Sequence, residues 1–172
     1  VVWDMQGGIK TDISNWDSVQ AAAAETIKQL GGIDVLVNSA GIAGPTGTVT
    51  DLKMEDWHRT IAINLNGTFF ACQSFARRLL AEGRTGSAVL ISSMSAKIVN
   101  VPQFQASYHA SKAAVSMLAK AVAVEWAPKG IRVNAVEPGY MLSDMTRQFM
   151  DANPDLAEQW RAMIPLGRMG EP

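Results

Sequence analysis

Three short apolar runs constrain this chain more than anything else in it. Asp34-Val35-Leu36-Val37-Asn38, Ala88-Val89-Leu90-Ile91 and Ile131-Arg132-Val133-Asn134-Ala135-Val136 each read as a strand rich in β-branched residues. Helical spacing fills the gaps between them, over about Asp56 to Glu82 and again over Tyr108 to about Ala127, where Pro128 and Gly130 end it. A further helix runs from about Trp16 to Leu30, entered through Ser14 or Asn15 and stopped by Gly31-Gly32. Strands alternating with helices predict an α/β protein, with a doubly wound parallel sheet covered by helices on both faces. In such sheets ligands bind beyond the carboxyl ends of the strands. Asn38, Ser92-Ser93 and Pro138-Gly139 all fall at such ends.

The rest of the chain is shorter and less regular. Val1 to Trp3 and Ile9 to Ile13 read as two brief strands around the breaker pair Gly7-Gly8. Gly41, Gly44, Pro45 and Gly47 make a loop, and the helix over Asp56 to Glu82 is expected to bend near Asn64 and Gly67. Met94 to Ala106 form a loop containing Pro102. Met145 to Met150 and Pro154 to Met163 read as two short helices, and Tyr140 to Met163 as a mobile lid. The chain opens in what reads as mid-strand without an initiator Met and stops at Gly170-Glu171-Pro172 without a cap. We therefore expect residues 1–172 to be one partial domain, incomplete at both ends.

Composition narrows the function classes. A net charge of -1 with no basic cluster offers nothing to nucleic acid or an anionic membrane surface. Lys120 and Glu125 interrupt the most apolar helical run, so no membrane span is expected. The single Cys72 allows no intrachain disulfide and fits a reducing, cytoplasmic setting. His58 and His109 lack a Cys or carboxylate constellation, so no metal site is expected.

One pair on the last long helix carries a chemical signal. Tyr108 and Lys112 stand four residues apart, one turn along the same helix face. A phenol titrates near pH ~10, and a neighbouring ammonium favours its phenolate, pulling it toward the working range of a general acid or base. Alone, the spacing is equally that of a surface Tyr and a solvated Lys.

With the strand ends, the pair resembles the short-chain dehydrogenase/reductase family in its single-domain form. Asn38-Ser39-Ala40-Gly41 resembles that family's Asn-Asn-Ala-Gly motif, with Ser39 in place of the second Asn. Asn64-Leu65-Asn66-Gly67 is similar to its helix motif, Ile91-Ser92-Ser93 to its serine strand, and Pro138-Gly139 to its Pro-Gly turn. The pieces Ser92-Ser93-Met94-Ser95, Pro102-Gln103-Phe104-Gln105 and Tyr108 particularly resemble members acting on sugars and polyols, such as sorbose reductases and gluconate or arabinitol dehydrogenases.

The resemblance implies a Rossmann-like three-layer fold and a role for each residue. Tyr108 would exchange a proton with the substrate oxygen. Lys112 would hold the nicotinamide ribose, and Asn64 a water that relays protons to it. Ser93 would bind the reacting oxygen; the family's usual spacing would select Ser95, but the strand end fixes Ser93 more rigidly and leaves Ser95 to line the substrate pocket. Asn38, Ala40 and Gly41 would admit the adenosine ribose, and Asp12 with Ile13 would meet the adenine. Pro138, Gly139, Met141 and Ser143, the last where the family usually has Thr, would close over the nicotinamide, with Tyr140 on the substrate side. Asp4, at the end of the family's second strand, would accept both ribose hydroxyls and repel a 2′-phosphate, favouring NAD over NADP.

The implied function is an NAD(P)-dependent oxidoreductase that interconverts a secondary alcohol and a ketone, with a sugar or polyol as substrate. The Ala-rich helices over Asp56 to Glu82 and Tyr108 to Ala127 imply a homo-oligomer. Two alternatives stay open: a nucleotide-sugar epimerase or dehydratase, and a non-catalytic binding protein, because no Gly-rich phosphate loop follows a first strand here.

Overall fold

The computed structural model describes residues 1–172, the side chains of Asp144 and Met145 excepted. The chain forms two compact units, Val1–Val136 and Glu137–Pro172.

In the first unit, β1 (Trp3–Asp4) and β2 (Ile9–Lys10) form a two-stranded parallel sheet, and α1 (Trp16–Leu30) follows. The second strand is shorter than its Ile9 to Ile13 pattern suggests. Asp12 is drawn into the entry to α1 instead, where its Oδ1 accepts from both the N–H and the hydroxyl of Ser14. Next come β3 (Val35–Asn38), α2 (Met54–Ile61), a π-helical turn (Ala62–Asn66) and α3 (Gly67–Glu82). They are followed by β4 (Gly86–Ile91), α4 (Ala106–Trp126) and β5 (Ile131–Val136). Strands β3, β4 and β5 lie side by side in that order, all parallel, as the alternation of elements requires.

Register explains the core. Leu36, Ala88 and Val133 are neighbours across the three strands, as are Leu90 and Ala135 one pleat further on. That face packs against Phe75 and Leu79 of α3 and Val115, Ala119, Val122 and Trp126 of α4. Leu79, Leu90 and Ile131 are fully buried, each stabilising the fold by about 1.5–3 kcal/mol. Because side chains alternate along a strand, Val35 and Val37 point to the other face, and there they are 61% and 63% exposed. The expected cover on both faces is thus met on one face among the described residues. Likewise, β1–β2 and β3–β4–β5 are separate sheets rather than one.

The long helix expected over Asp56 to Glu82 does bend, and the bend is the π-helical turn. Such a turn inserts an extra residue, shifting which side chains face inward. It aims Asn64 into the interior, where its exposure is 0%. Gly67 follows because α3 must start against Ile13: a Cβ there would come within 2.9 Å of the Ile13 side chain.

In the second unit, α5 (Asp144–Ala152) and α6 (Pro154–Met163) enclose a small core of Met150, Ala157, Trp160 and Met169. Tyr140 and Phe149 both stack on Trp160, at 4.4 Å and 5.3 Å between ring centroids. Pro154 opens α6, where its missing N–H goes unmissed.

Candidate active site

The carboxyl ends of β3 and β4 and the start of α4 bring one polar cluster together. Asn38, the last residue of β3, is buried, and its Nδ2 donates to the Thr68 hydroxyl at 2.8 Å. Just beyond the strand the chain passes over Asn64. Its Oδ1 accepts the Ile42 N–H at 2.8 Å, while its Nδ2 donates to the Ile42 carbonyl at 2.9 Å and to Ser111 Oγ at 3.0 Å. Both amide hydrogens and one lone pair of this buried side chain are thereby engaged. Ser111 in turn donates to the Tyr108 carbonyl at 2.8 Å. Asn64 therefore ties the loop after β3 to the first turn of α4.

At the end of β4, Ser92 donates to the Lys112 carbonyl at 2.8 Å, as expected of a residue satisfying backbone. Ser93 is buried, caps the 3-10 turn Met94–Ala96 by accepting the Ser95 N–H, and donates to Ser95 Oγ, each at 3.1 Å. A hydrogen bond from Ser93 would favour the phenolate form of Tyr108. The two serines are thus one connected group rather than alternatives.

Tyr108 and Lys112 stand together as their spacing requires, with Lys112 Nζ 5.7 Å from the Tyr108 ring centroid. Burial pushes the Tyr108 phenol above its ordinary value, and the Ser93 hydrogen bond opposes this. Burial likewise pushes the Lys112 ammonium down. In this state desolvation outweighs the pull of the ammonium anticipated from the sequence. Lys112 is 5% exposed, and its Nζ donates to the Ile91 carbonyl at 2.9 Å.

The residues present fit a nicotinamide dinucleotide at the ribose. A Cβ on Gly41 would lie 3.3 Å from both Lys112 Nζ and Asn64 Oδ1, so only glycine keeps the space beside the ammonium open. An ammonium carries three donors, and the Ile91 carbonyl takes one. Elsewhere the expected contacts have local duties. Asp4 is exposed, and its Oδ1 accepts the Gln6 N–H at 2.7 Å. Asp12 accepts from Ser14 ahead of α1, which Asn15 caps, and Ile13 packs beside Gly67. Ala40 is half-buried next to Gly41.

Pro138, Gly139, Tyr140, Met141 and Ser143 belong to the second unit. There Met141 forms a parallel bridge with Gly170, Ser143 caps α5 by accepting the Thr146 N–H, and Tyr140 stacks on Trp160. Residues that the sequence reading passed over also join the cluster. Ser111 and Thr68 hold the two asparagines, and Asn100 donates through Nδ2 to Ser95 Oγ at 2.7 Å. Ser111 shares its helix face with Tyr108, which was a usable signal; nothing local marks Thr68 or Asn100. Among the described residues no group of His, Cys, Asp and Glu stands close enough to hold a metal ion.

Comparison with known proteins bears on the same residues. A family model described as enoyl-(acyl carrier protein) reductase matches residues 4–172. Galactitol 2-dehydrogenase (L-tagatose-forming) of Cereibacter sphaeroides is 44% identical over 166 residues, covering 95% of this chain and 63% of that protein. Sorbose reductase of Candida albicans is 38% identical, over 95% of this chain and 57% of its own length. The chain thus spans less than two thirds of these curated relatives. Among solved structures, a short-chain type dehydrogenase/reductase from Mycobacterium marinum superposes with a TM-score of 0.88 at 38% identity, covering 95% of this chain and 62% of that one. An NAD+-bound xylitol dehydrogenase (TM-score 0.85, 28% identity, 94% and 66% covered) is also similar. So is a gluconate 5-dehydrogenase from Burkholderia cenocepacia in complex with NADP and tartrate (TM-score 0.84, 32%, 93% and 61%).

Proposed function

The chain belongs to the short-chain dehydrogenase/reductase family, and from that membership we propose that its protein is an NAD(P)-dependent oxidoreductase interconverting a secondary alcohol and a ketone on a sugar or polyol. The observation that carries this reading is the single cluster of Ser93, Tyr108, Lys112 and Asn64 at the strand ends. Relatives named for galactitol and sorbose favour the polyol class.

In the direction of reduction, Tyr108 releases its proton to the carbonyl oxygen, and Ser93 offers its own once its hydroxyl turns from Ser95 Oγ. Ser93 is buried and Tyr108 half-buried, and hydrogen bonds to a developing negative charge strengthen as water is excluded. The phenolate left behind is stabilised by the Lys112 ammonium on the same helix face. Lys112 beside Gly41 would hold a dinucleotide at its ribose, and Asn38, Ala40, Asp12, Ile13 and Asp4 would hold its adenosine end; when bound, it would supply or accept the hydride. Pro138, Gly139, Met141 and Ser143 are assigned to its nicotinamide end, and Tyr140 and Ser95 to the substrate. Asn64 Nδ2 has no hydrogen left to donate, so we assign its proton-relay water to an oxygen of Asn64.

Structures of relatives hold NAD+ in one case and NADP in another; Asp4 favours NAD here by repelling a 2′-phosphate. Among the described residues no helix is long and apolar enough to cross a membrane. We place the protein in the cytoplasm on its single Cys72, whose thiol burial pushes up to about 12 and so keeps unreactive. We read residues 1–172 as part of one dinucleotide-binding domain that assembles as a homo-oligomer through α3 and α4. Phe69 and Leu80 stay exposed there, beside a groove of about 320 Å³ lined by Ala76, Val122 and Trp126.

The test is Tyr108→Phe in the natural full-length protein, assayed on a panel of polyols and ketoses through nicotinamide absorbance. Turnover should disappear while NADH binding, followed by its fluorescence, stays within about threefold. Retained turnover would sink the mechanism.

A further inference from the structure

Asn100 lies in the loop between β4 and α4, outside every motif on which the reading above rests, yet it makes two bonds that converge on the reacting groups. Its side-chain Nδ2 donates to Ser95 Oγ at 2.7 Å, and Ser95 Oγ also accepts the proton of Ser93 at 3.1 Å. Its backbone N–H donates to His109 Nε2 at 3.0 Å. His109 adjoins Tyr108 on α4, and its Nδ1 lies 2.7 Å from the Gln105 carbonyl. A carbonyl can only accept, so Nδ1 carries the ring proton and Nε2 is left as the acceptor for Asn100.

We propose that Asn100 is a positioning residue for the Ser93–Ser95 hydroxyl pair, anchored by His109 to the helix that carries Tyr108. Two lone pairs of Ser95 Oγ are filled, one by Asn100 and one by Ser93. The Ser95 proton is therefore turned away from both, and Ser93 is held at a fixed distance from Tyr108. A merely structural brace would satisfy both ends of the Asn100 amide. Here Asn100 is 7% exposed and its Oδ1 is buried without a partner, so the amide is oriented by its donor at the expense of its acceptor. Chain connectivity supports the same function. Gly47 N–H donates to the Phe104 carbonyl at 2.9 Å, so the Asn100 loop is also joined to the loop following β3. Displacing Asn100 would loosen Ser93 relative to Tyr108 without touching Lys112, whose bond runs to Ile91.

The proposal rests on the oxidoreductase reading, and its test separates the two. Asn100→Ala and Asn100→Asp both keep the backbone N–H on His109. Alanine removes the donor, and aspartate keeps the shape but can only accept. In the natural full-length protein, each should lower kcat about 10–100-fold, because small misplacements of reacting groups cost that much, with KM and the NADH dissociation constant within about threefold. Independently of activity, amide hydrogen exchange should quicken about tenfold at Ser95 and stay unchanged at position 100. His109→Phe should quicken exchange at position 100. A kcat within threefold of wild type in both Asn100 variants overturns the proposal. So does a parallel loss of NADH binding and turnover, which would mean general packing, or unchanged Ser95 exchange. If the wild-type protein turns over no polyol or ketose, the oxidoreductase reading fails and the exchange measurement alone decides the role of Asn100.

Discussion

Asn64→Ala is the sharpest perturbation of this architecture. The side chain is fully buried and makes three hydrogen bonds, two of them to the N–H and carbonyl of Ile42. Removing it leaves both Ile42 groups without a partner, at about 1–3 kcal/mol for each group that stays dry. Ile42 is only half-buried, so water repairs part of the loss. A net cost of about 2–4 kcal/mol follows, which at about 2–4 °C per kcal/mol lowers the melting temperature by about 4–16 °C. Asn64→Asp tests the geometry rather than the volume. Its carboxylate can accept the Ile42 N–H but meets the Ile42 carbonyl with a lone pair, so the neutral acid is favoured and its folded pKa is raised above the unfolded value near ~3.9. A raised folded pKa gives stability that is fully present below the unfolded pKa and lost as pH rises through the folded one. The deficit of Asn64→Asp against wild type should therefore widen from acid toward neutral pH. Thermal melts of both variants across that range check the claim. An Asn64→Ala melting point within about 2 °C of wild type, or an Asn64→Asp deficit flat in pH, would refute the clamp on Ile42.

Two further outcomes follow from the same cluster. Burial raises the Tyr108 pKa, so the phenol keeps its proton through neutrality; reduction should be nearly flat there, while oxidation, which needs the phenolate, should climb up to about tenfold per pH unit toward alkaline pH. An oxidation rate level from about pH 7 to 10 would remove Tyr108 as the base. Gly41→Ala places a methyl group 3.3 Å from both Lys112 Nζ and Asn64 Oδ1. NADH binding, titrated by fluorescence, should weaken about tenfold or more, and undiminished affinity would show that the ribose lies elsewhere.

What could be read from the sequence was local in origin. Tyr108 and Lys112 share a helix face because the helical period puts them there, and a strand followed by Ser92-Ser93 must deliver those residues at its end. Alternating strands and helices likewise required the parallel pairing of β3, β4 and β5. The bend near Asn64 was legible from Asn64 and Gly67, but its form as a π-helical turn was not, nor was the close approach of Ile13 to Gly67. The exposure of Val35 and Val37 was hidden for a similar reason. A run of three apolar residues looks the same whether helices cover one face of the sheet or two.

The hydrogen-bond partners mark the boundary most clearly. Asn38 finds Thr68 thirty positions away, and Asn64 finds Ser111 at a separation of forty-seven. No spacing rule predicts such pairs, because they exist only once the strand ends and helix starts converge. The choice between Ser93 and Ser95 shows how this matters. From the sequence they were rivals for one role, decided for Ser93 by the rigidity of the strand end. In the fold one donates to the other, and Asn100 holds the second in place. Proton transfer on α4 is thus written in a five-residue window, whereas the placement of the serine that meets the substrate depends on a loop residue with no motif of its own. Mutational searches confined to the recognisable motifs would find the first and miss the second.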